Sequence, residues 1–542
     1  MIEVGKSANL QQQQHESANK MAASIGVYFG GTTSCVAINK DEKTEVLAND
    51  AGDRTTPNVV AFSDNDKVVG LAAKQGRLRN PVNTVMHVKH LLGRSFEDQV
   101  VLAVKKRSAF RVVDKQGLAG FEVELNNKKI LISSLEVAVL IFKKLKEIAE
   151  HGGGKSVKSA VLTVPADFSG QQRDAVRKAA EVAGFDVLRL ISEPSAAALA
   201  YSIGVTKLHD PCNVLVYRLG GSTVSVSVVN VTNGLYRIEA SKTHHECGGD
   251  DITSALSNLC VQEFKRQYKM DVSENKRAMG KLYNACETCK HVLSTINTSH
   301  ISVDSLYEGI DFHSNITRAK FESVVNVPLQ RCLHLILATL QETGLSSSDI
   351  HKVIITGGST RIPKLQSQLR DMFPDAELLN SISPEEVIAT GAAVQAALLM
   401  SRDDSVSCSS NEIQTPSTSK SIYVKVVDES GSPSLHTIVP KLSYIPLRQQ
   451  HYFTIPKEQD SLCLQLVEGE PGCAPAATTS LGQIVLRDLA TEEPQEGKVT
   501  LDVHLKRDGS LEVTCSESLS GSMDSILVPL SSRPGDDQVK KE

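Results

Sequence analysis

The 542-residue sequence predicts an α/β region followed by a small antiparallel β domain. Three observations carry that reading. Across residues 25–400, apolar strand patterns alternate with helical ones. Across residues 401–420, serine and threonine displace large apolar residues, the composition of a flexible linker. Beyond the linker, apolar and polar residues alternate one by one, as half-buried strands do.

The elements follow in chain order. Residues 1–20 are polar, carry a glutamine run at 11–14 and lack the apolar centre of a signal peptide, so they read as a disordered extension. The α/β domain is expected over 21–400. Within it, Gln171 to Ala183 is alanine-rich and stops at Gly184, as a helix closed by a C-terminal glycine would. Val224, Val226 and Val228 alternate with Ser225 and Ser227, a period-2 strand with one polar face. Lys352 to Thr356 reads as a short buried strand, and Pro363 to Phe373 as a helix. After the 401–420 linker, a β domain is expected over 421–532. Its strand signals lie at 422–426, at 462–467 and at Val499, Leu501, Val503 and Leu505. A turn at Asp508-Gly509 then leads to Leu511, Val513 and Cys515, which is a hairpin signal. Residues 533–542 read as a polar tail, too short for a helical lid.

Composition excludes several classes. With 41% hydrophobic and 22% charged residues, the chain is an ordinary globular one with enough length for two to four domains. A net charge of -5 argues against nonspecific polyanion binding by the whole molecule, a local basic patch staying open, and no direct sequence-specific nucleic-acid binding is expected. No apolar run approaches the roughly 20 residues that span a bilayer, so no membrane partner is expected either. The 11 cysteines are scattered and odd in number, which fits free thiols in a reducing cytosol. Cys286 and Cys289 form a lone CxxC inside a helical pattern, and buried helix positions are preferred to a metal site.

Three glycine-rich elements carry the chemistry. Gly26-Val27-Tyr28-Phe29-Gly30-Gly31-Thr32-Thr33 and Tyr217-Arg218-Leu219-Gly220-Gly221-Ser222-Thr223 have the form of strand–turn–strand hairpins. Gly357-Gly358-Ser359 follows a strand and precedes a helix. Glycines let backbone N–H groups approach phosphate oxygens, and a nearby hydroxyl adds a donor. Each element alone is equally an ordinary glycine turn. Three in one α/β region favour a nucleotide cleft.

Four longer stretches resemble the 70-kDa heat-shock chaperone family: residues 48–57 (ANDAGDRTTP), 187–201 (VLRLISEPSAAALAY), 304–309 (DSLYEG) and 357–363 (GGSTRIP). They separate the chain from actins and sugar kinases, which share only the phosphate hairpins. The resemblance spans roughly residues 25–530 and is nearest to an atypical, ribosome-associated type of member. It implies two actin-like lobes around an ATP cleft, followed by a truncated β-sandwich. It also implies a J-domain co-chaperone, the ribosome and nascent polypeptides as partners, in the cytosol.

By matching position, the resemblance gives Lys89 the place facing the γ-phosphate and Glu193 a place in the water and metal network. These are the residual catalytic candidates. Thr32 and Thr223 supply hairpin hydroxyls, with Gly30, Gly220, Gly221, Gly248 and Gly249 as backbone contacts. Glu287, Lys290 and Ser294 fall on one side of the nucleoside. Gly357, Gly358, Ser359, Arg361 and Glu385 fall on the other. The adenine-stacking arginine is replaced by His291. Without the resemblance, Glu287 and Lys290 read as a solvated i,i+3 pair.

The departures are as informative. Tyr28, Arg218 and Ser225 stand where the family has aspartates, and Gly31 where it has a hydroxyl residue. Magnesium needs oxygen ligands, mostly carboxylates acting through water. Three lost carboxylates put the magnesium dependence of the expected cofactor, ATP, in question. They should also slow hydrolysis by about a thousandfold per ~4 kcal/mol of lost stabilisation. Two fates are open to Arg218: to enter the cleft and neutralise phosphate in place of a metal, or to pair with a nearby acid or turn to solvent. The segment Asp403-Asp404-Ser405-Val406-Ser407 lacks the apolar side chains of the family's interdomain linker, whereas Pro165 and Arg173 match its relay positions. The expected function is an atypical ATP-binding chaperone or co-chaperone with weak or absent hydrolysis. The alternatives are an autonomous ATPase chaperone and, more remotely, a small-molecule kinase.

Overall fold

The computed structural model describes residues 24–40, 43–154, 157–204, 212–232, 235–400, 418, 420–427, 433–441, 443, 447–454, 461–470, 472–487, 498–506, 510–517 and 521–529. The expected extension at 1–20, most of the 401–420 linker, the Asp508-Gly509 turn and the 533–542 tail lie outside these residues. The chain separates into two compact units, Met1–Ser407 and Cys408–Glu542.

The first unit is built on two mixed sheets of similar construction. In one, β1 (Ser24–Phe29) and β2 (Thr33–Lys40) form an antiparallel hairpin. The third strand, β3 (Lys43–Val46), extends it, while β4 (Ser159–Val164) and β5 (Asp186–Ser192) add parallel strands beyond β1. In the other, β6 (Cys212–Leu219) and β7 (Val224–Thr232) form the hairpin, with β8 (Leu235–His244) antiparallel to β7. There β9 (Lys352–Thr356) and β10 (Glu377–Leu379) add parallel strands beyond β6. Both glycine turns thus sit at the same kind of place, the tip of a hairpin at the centre of its sheet.

Several helices connect or cover these strands. The short α1 (Val88–Leu91) starts after His87, whose φ of 58° places it in the left-handed region, and all four of its residues are buried. The predicted alanine-rich helix is α2 (Gly170–Val182), and Gly184 follows with a φ of 96°. Helix α3 (Glu193–Ala200) is capped by Ser192, whose hydroxyl accepts from Ser195 N–H. Helices α4 (Gly249–Tyr268), α5 (Lys276–Leu293) and α6 (Asn326–Thr343) pack around the second sheet. Cys286 and Cys289 lie buried on α5, as the helical pattern indicated. After α7 (Pro363–Met372), helix α8 (Val387–Met400) is apolar on nearly every face, because it is enclosed on several sides. Ala389 and Ala393 touch Cys35 and Ala37, while Ala392 and Ala396 touch Val161.

The valine-rich strand differs from expectation. Ser227 on β7 is buried, and its hydroxyl bonds that of Ser241 at 2.8 Å. A central strand has both faces covered, so its polar residues pair across the sheet instead of meeting water.

In the second unit, two four-stranded antiparallel sheets share one apolar core. One contains β11 (Ser421–Val427), β12 (Pro433–Val439), β14 (Ser461–Gly469) and β15 (Thr479–Arg487). The other contains β13 (Leu447–Thr454), β16 (Lys498–Leu505), β17 (Ser510–Glu517) and β18 (Met523–Pro529). Strand β17 alternates half-buried and buried residues along its whole length, and β16 pairs with it through Leu505 and Leu511.

The seam around α8 leaves no room for added atoms. A Cβ on Gly391 would stand 1.7 Å from the Ala196 carbonyl oxygen, and one on Gly26 would stand 2.1 Å from Ala393 N. Overpacking of this kind cannot relax when the obstacle is backbone. Gly391→Ala is therefore expected to lower the unfolding free energy by roughly 3 kcal/mol, measured by urea denaturation. An unchanged midpoint would show that α3 and α8 separate freely.

Candidate functional site

The glycine segments converge. Gly249 N–H donates to Gly220 O at 2.9 Å, Asp250 N–H to Gly221 O at 2.6 Å, and the Ser359 hydroxyl to Gly220 O at 3.0 Å. Only residues without side chains permit this approach. A Cβ on Gly248 would stand 2.6 Å from Gly221 O, and one on Gly357, at φ 86°, 2.4 Å from Leu219 O. The two hairpin tips meet as well, since a Cβ on Gly221 would stand 2.7 Å from the Thr32 methyl. Gly30 is braced from behind by Asn58, whose amide donates to its carbonyl at 2.7 Å. Among the described residues, the N–H groups of Gly31, Thr32, Gly221 and Ser222 donate to no protein acceptor. These unpaired donors at two adjoining turns form a cradle for anionic oxygens.

Beneath the tips lies a buried charge cluster. Lys89 from α1 and Arg218 from β6 both pair with Glu193, the first residue of α3. Lys89 takes Oε1, and Arg218 Nε lies 3.1 Å from Oε2. Arg218 also donates to the Ser225 hydroxyl at 3.0 Å and the Thr223 hydroxyl at 3.1 Å. The relative exposures of Lys89, Glu193 and Arg218 are 4%, 3% and 6%, so water screens these charges little. Arg218 therefore does not turn to solvent: it points inward, pairs with an acid and lines the cleft pocket as well.

The electrostatics follow from two cations sharing one carboxylate. Burial raises the Glu193 carboxyl, but the charges of Lys89 and Arg218 outweigh it and hold it below the ordinary range. Burial lowers the Lys89 ammonium, and Arg218 lowers it further, against the pull of Glu193. Tyr28 fills the remaining side. Burial pushes its phenol up to about 12, so it stays neutral, and its ring lies 5.4 Å from the Lys89 ammonium.

These donors do not fit a magnesium shell. Positions 28, 218 and 225 offer a phenol, a guanidinium and a hydroxyl, and both oxygens of Glu193 already face cations. They do fit a phosphate chain, which needs donors and positive charge. A small pocket opens here, lined by Gly31, Lys89, His90, Arg218, Thr223 and His245 among others. Sequence reading missed His90 and His245; the former adjoins Lys89 in sequence, while the latter has no local signal. The pocket's other wall includes Pro165, Asp167 and Phe168. Arg173 braces it, donating to the carbonyls of Phe168 at 3.0 Å and Ala166 at 3.3 Å.

The nucleoside candidates gather on α5 and around the third glycine turn. Lys290 donates to Glu287 at 2.7 Å, to Thr253 at 2.9 Å and to Gly249 O at 3.1 Å. With Lys290 only 6% exposed, this is a buried polar network and not the solvated pair that spacing alone allowed. Burial raises the Glu287 carboxyl, but His291, Lys290 and Thr253 together hold it below the ordinary range. His291 leans on Glu287 at 3.1 Å with its ring largely exposed, and the Ser294 hydroxyl bonds back to Lys290 O. Across the third turn, Arg361 grips Glu385 through two bonds of 2.8 Å and reaches Ser383 at 2.8 Å. A Cβ on Gly358 would stand 3.1 Å from the Glu385 carboxylate. Gly249 ties the groups together, since a Cβ there would meet both Ser359 Oγ and Lys290 Nζ.

Comparison with known proteins gives the family. The family model described as Hsp70 protein matches residues 24–541. The chain is 46% identical to heat shock 70 kDa protein 14 of Danio rerio over 506 residues, 93% of this chain and 98% of that protein. It is 43% identical to the protein of that name in Bos taurus and 42% identical to that in Homo sapiens. Each of these matches covers 94% of this chain and 100% of the relative.

Removing Glu193 alone strands two buried cations. Glu193→Gln is expected to cost about 3–5 kcal/mol, whereas Glu193→Gln with Arg218→Gln should recover much of that loss in urea titrations. Because the folded carboxyl lies below its unfolded value, its contribution is complete above about pH 4.3 and is lost as the pH falls through the folded value. The wild-type advantage over E193Q should therefore shrink in acid. A variant as stable as wild type at pH 7 would show that the cluster carries no net stabilisation.

Proposed function

The chain belongs to the Hsp70 family, and from that premise we propose that it is an atypical ATP-binding chaperone component that holds its nucleotide and hydrolyses it slowly or not at all. The observation that carries this reading is the occupancy of Glu193. Its two oxygens are neutralised by Lys89 and Arg218, so neither remains to organise a metal shell or an attacking water.

The chain's own groups divide the work of binding. The unpaired N–H groups of Gly31, Thr32, Gly221 and Ser222, with the Thr32 hydroxyl, would take phosphate oxygens. Arg218 and Lys89 bring two cations to the pocket, offset by Glu193 and by Asp167 on its other wall, and both cations are within reach of an anionic ligand. Glu287, Lys290, Ser294 and His291 would bound the ribose and base on one side, with Gly357, Gly358, Ser359, Arg361 and Glu385 on the other. Bound ATP supplies the anionic groups that let both hairpin tips be gripped at once, and it thereby acts as a structural clamp.

The partners belong to the same proposal. The chain would work with a J-domain co-chaperone at the ribosome, on nascent polypeptides in the cytosol. The paired sheets of the second unit support reading it as a β-sandwich that engages an extended peptide or a partner segment. An autonomous ATPase chaperone is the second reading, favoured by the retention of Lys89 and Glu193. Their pairing with each other weighs against it.

A labelled nucleotide is the appropriate probe, since the chain has no tryptophan. ATP affinity is expected to change less than about threefold, under ~1 kcal/mol, between magnesium and a chelator. Strong metal dependence would contradict the reading. Single-turnover hydrolysis should run at least about a thousandfold slower than in family members with the aspartates intact, with or without a J-domain protein. Co-sedimentation with ribosomes, retaining a stoichiometric J-domain partner, is the expected outcome for the assembly; its absence would overturn the partner assignment.

A further inference from the structure

Three histidines surround the phosphate end of the cleft. The His90 ring centre lies 6.0 Å from that of His87 and 5.8 Å from that of His245, the latter edge-on. His90 reaches the tip of the second hairpin, with Nε2 2.8 Å from the Ser222 hydroxyl. It occupies space that the first hairpin yields, since a Cβ on Gly31 would stand 2.9 Å from His90 Nε2. The imidazole thus fills the space that a side chain at position 31 would need. His245 lines the same pocket, and its buried Nδ1 has no hydrogen-bond partner among the described residues. A buried polar nitrogen left unpaired is costly unless a ligand or water satisfies it.

Resting on the nucleotide reading above, we propose that His90 and His245 are phosphate ligands that become protonated when ATP binds, so that protons taken up from solution do the work of the missing divalent cation. The surrounding charges set the direction. His90 faces His87, His245, Lys89 and Arg218, with no carboxylate among these neighbours, and burial with their charge keeps it neutral without a ligand. His245 faces Arg94 and Arg218 against Asp167 and Asp98, and burial again favours the neutral ring. His87 faces Arg77 and Asp250, and Tyr28, Glu193 and Asp167 complete the cluster around Arg218. A triphosphate reverses this balance by supplying negative charge where cations already crowd. His245 can then accept a proton at its unpaired Nδ1 and donate it to a phosphate oxygen, and His90 can accept one at whichever ring nitrogen carries none, its Nε2 held at Ser222. Protons are the only species gained, so no oxidant, metal or cleavage step is required. The nucleotide should consequently bind more tightly as the pH falls, by up to about tenfold per pH unit for each proton taken up.

Calorimetric titration of ATP with a chelator present, at pH 6 to 8 and in two buffers of different ionisation enthalpy, measures proton uptake directly. Wild type is compared with H245Q and with H90Q/H245Q, because the nucleotide's own terminal phosphate titrates in this range and must be subtracted. Wild type is expected to gain up to about two protons more than the double variant, and H245Q about one fewer than wild type. The histidine Cε1 resonances of wild type should move to imidazolium positions on addition of ATP, a readout that does not require the variants to fold. Equal proton uptake in wild type and both variants, or unmoved histidine resonances with ATP bound, would overturn the histidine assignment alone. No binding by wild type at any pH would overturn the nucleotide reading and this inference with it.

Discussion

The buried contact of Lys89 and Arg218 with one carboxylate, Glu193, is the constraint on which the candidate site depends. Burying charges is costly, and a pair repays that cost only with good geometry and further hydrogen bonds. Here Ser225 and Thr223 accept from Arg218, and Tyr28 caps Lys89 with its ring. The cluster therefore closes on itself, and nothing in it resembles a water-filled metal shell. Burial first, and the neighbouring cations second, keep the histidines next to it neutral, and an anion is the ligand that would reverse that balance.

The fold supplies the geometry. Glu193 opens α3 immediately after the Ser192 cap, so the helix start fixes where the carboxylate points. Helix α3 is in turn held by α8, whose small residues let the two helices and β1 approach to backbone contact. Arg218 stands beside Ser225 across the second hairpin, one pair before the glycine tip. Substitution at Gly391 or Gly26 would thus disturb the chemistry from a distance, through the position of α3.

Much of this architecture was legible in the sequence, for physical reasons. Lys352–Thr356 forms the strand read from its apolar run, and the alanine-rich helix ends where Gly184 takes a positive φ. Alternation located β16 and β17 because one face of each is buried. Other features were not legible. Ser227 looked like a surface residue because alternation reports polarity, not whether a second layer covers it. The identity of Arg218 was plain, but its partner lies in a different element, and Lys89 is 104 residues from Glu193. Such pairings depend on tertiary placement, which no local pattern encodes. His245 gave no signal for the same reason. Glu287 and Lys290 carried the spacing of a solvated pair, and only their contacts with Thr253 and Gly249 distinguish them.

The most direct test of the account is a crystal structure with ATP and manganese, with anomalous scattering locating the metal. The Lys89–Glu193–Arg218 contact should persist with the nucleotide bound, and no manganese peak should lie between the phosphates and Glu193. A manganese ion held by Glu193, with Arg218 displaced from it, would contradict the claim that the chain's own cations occupy the metal's place.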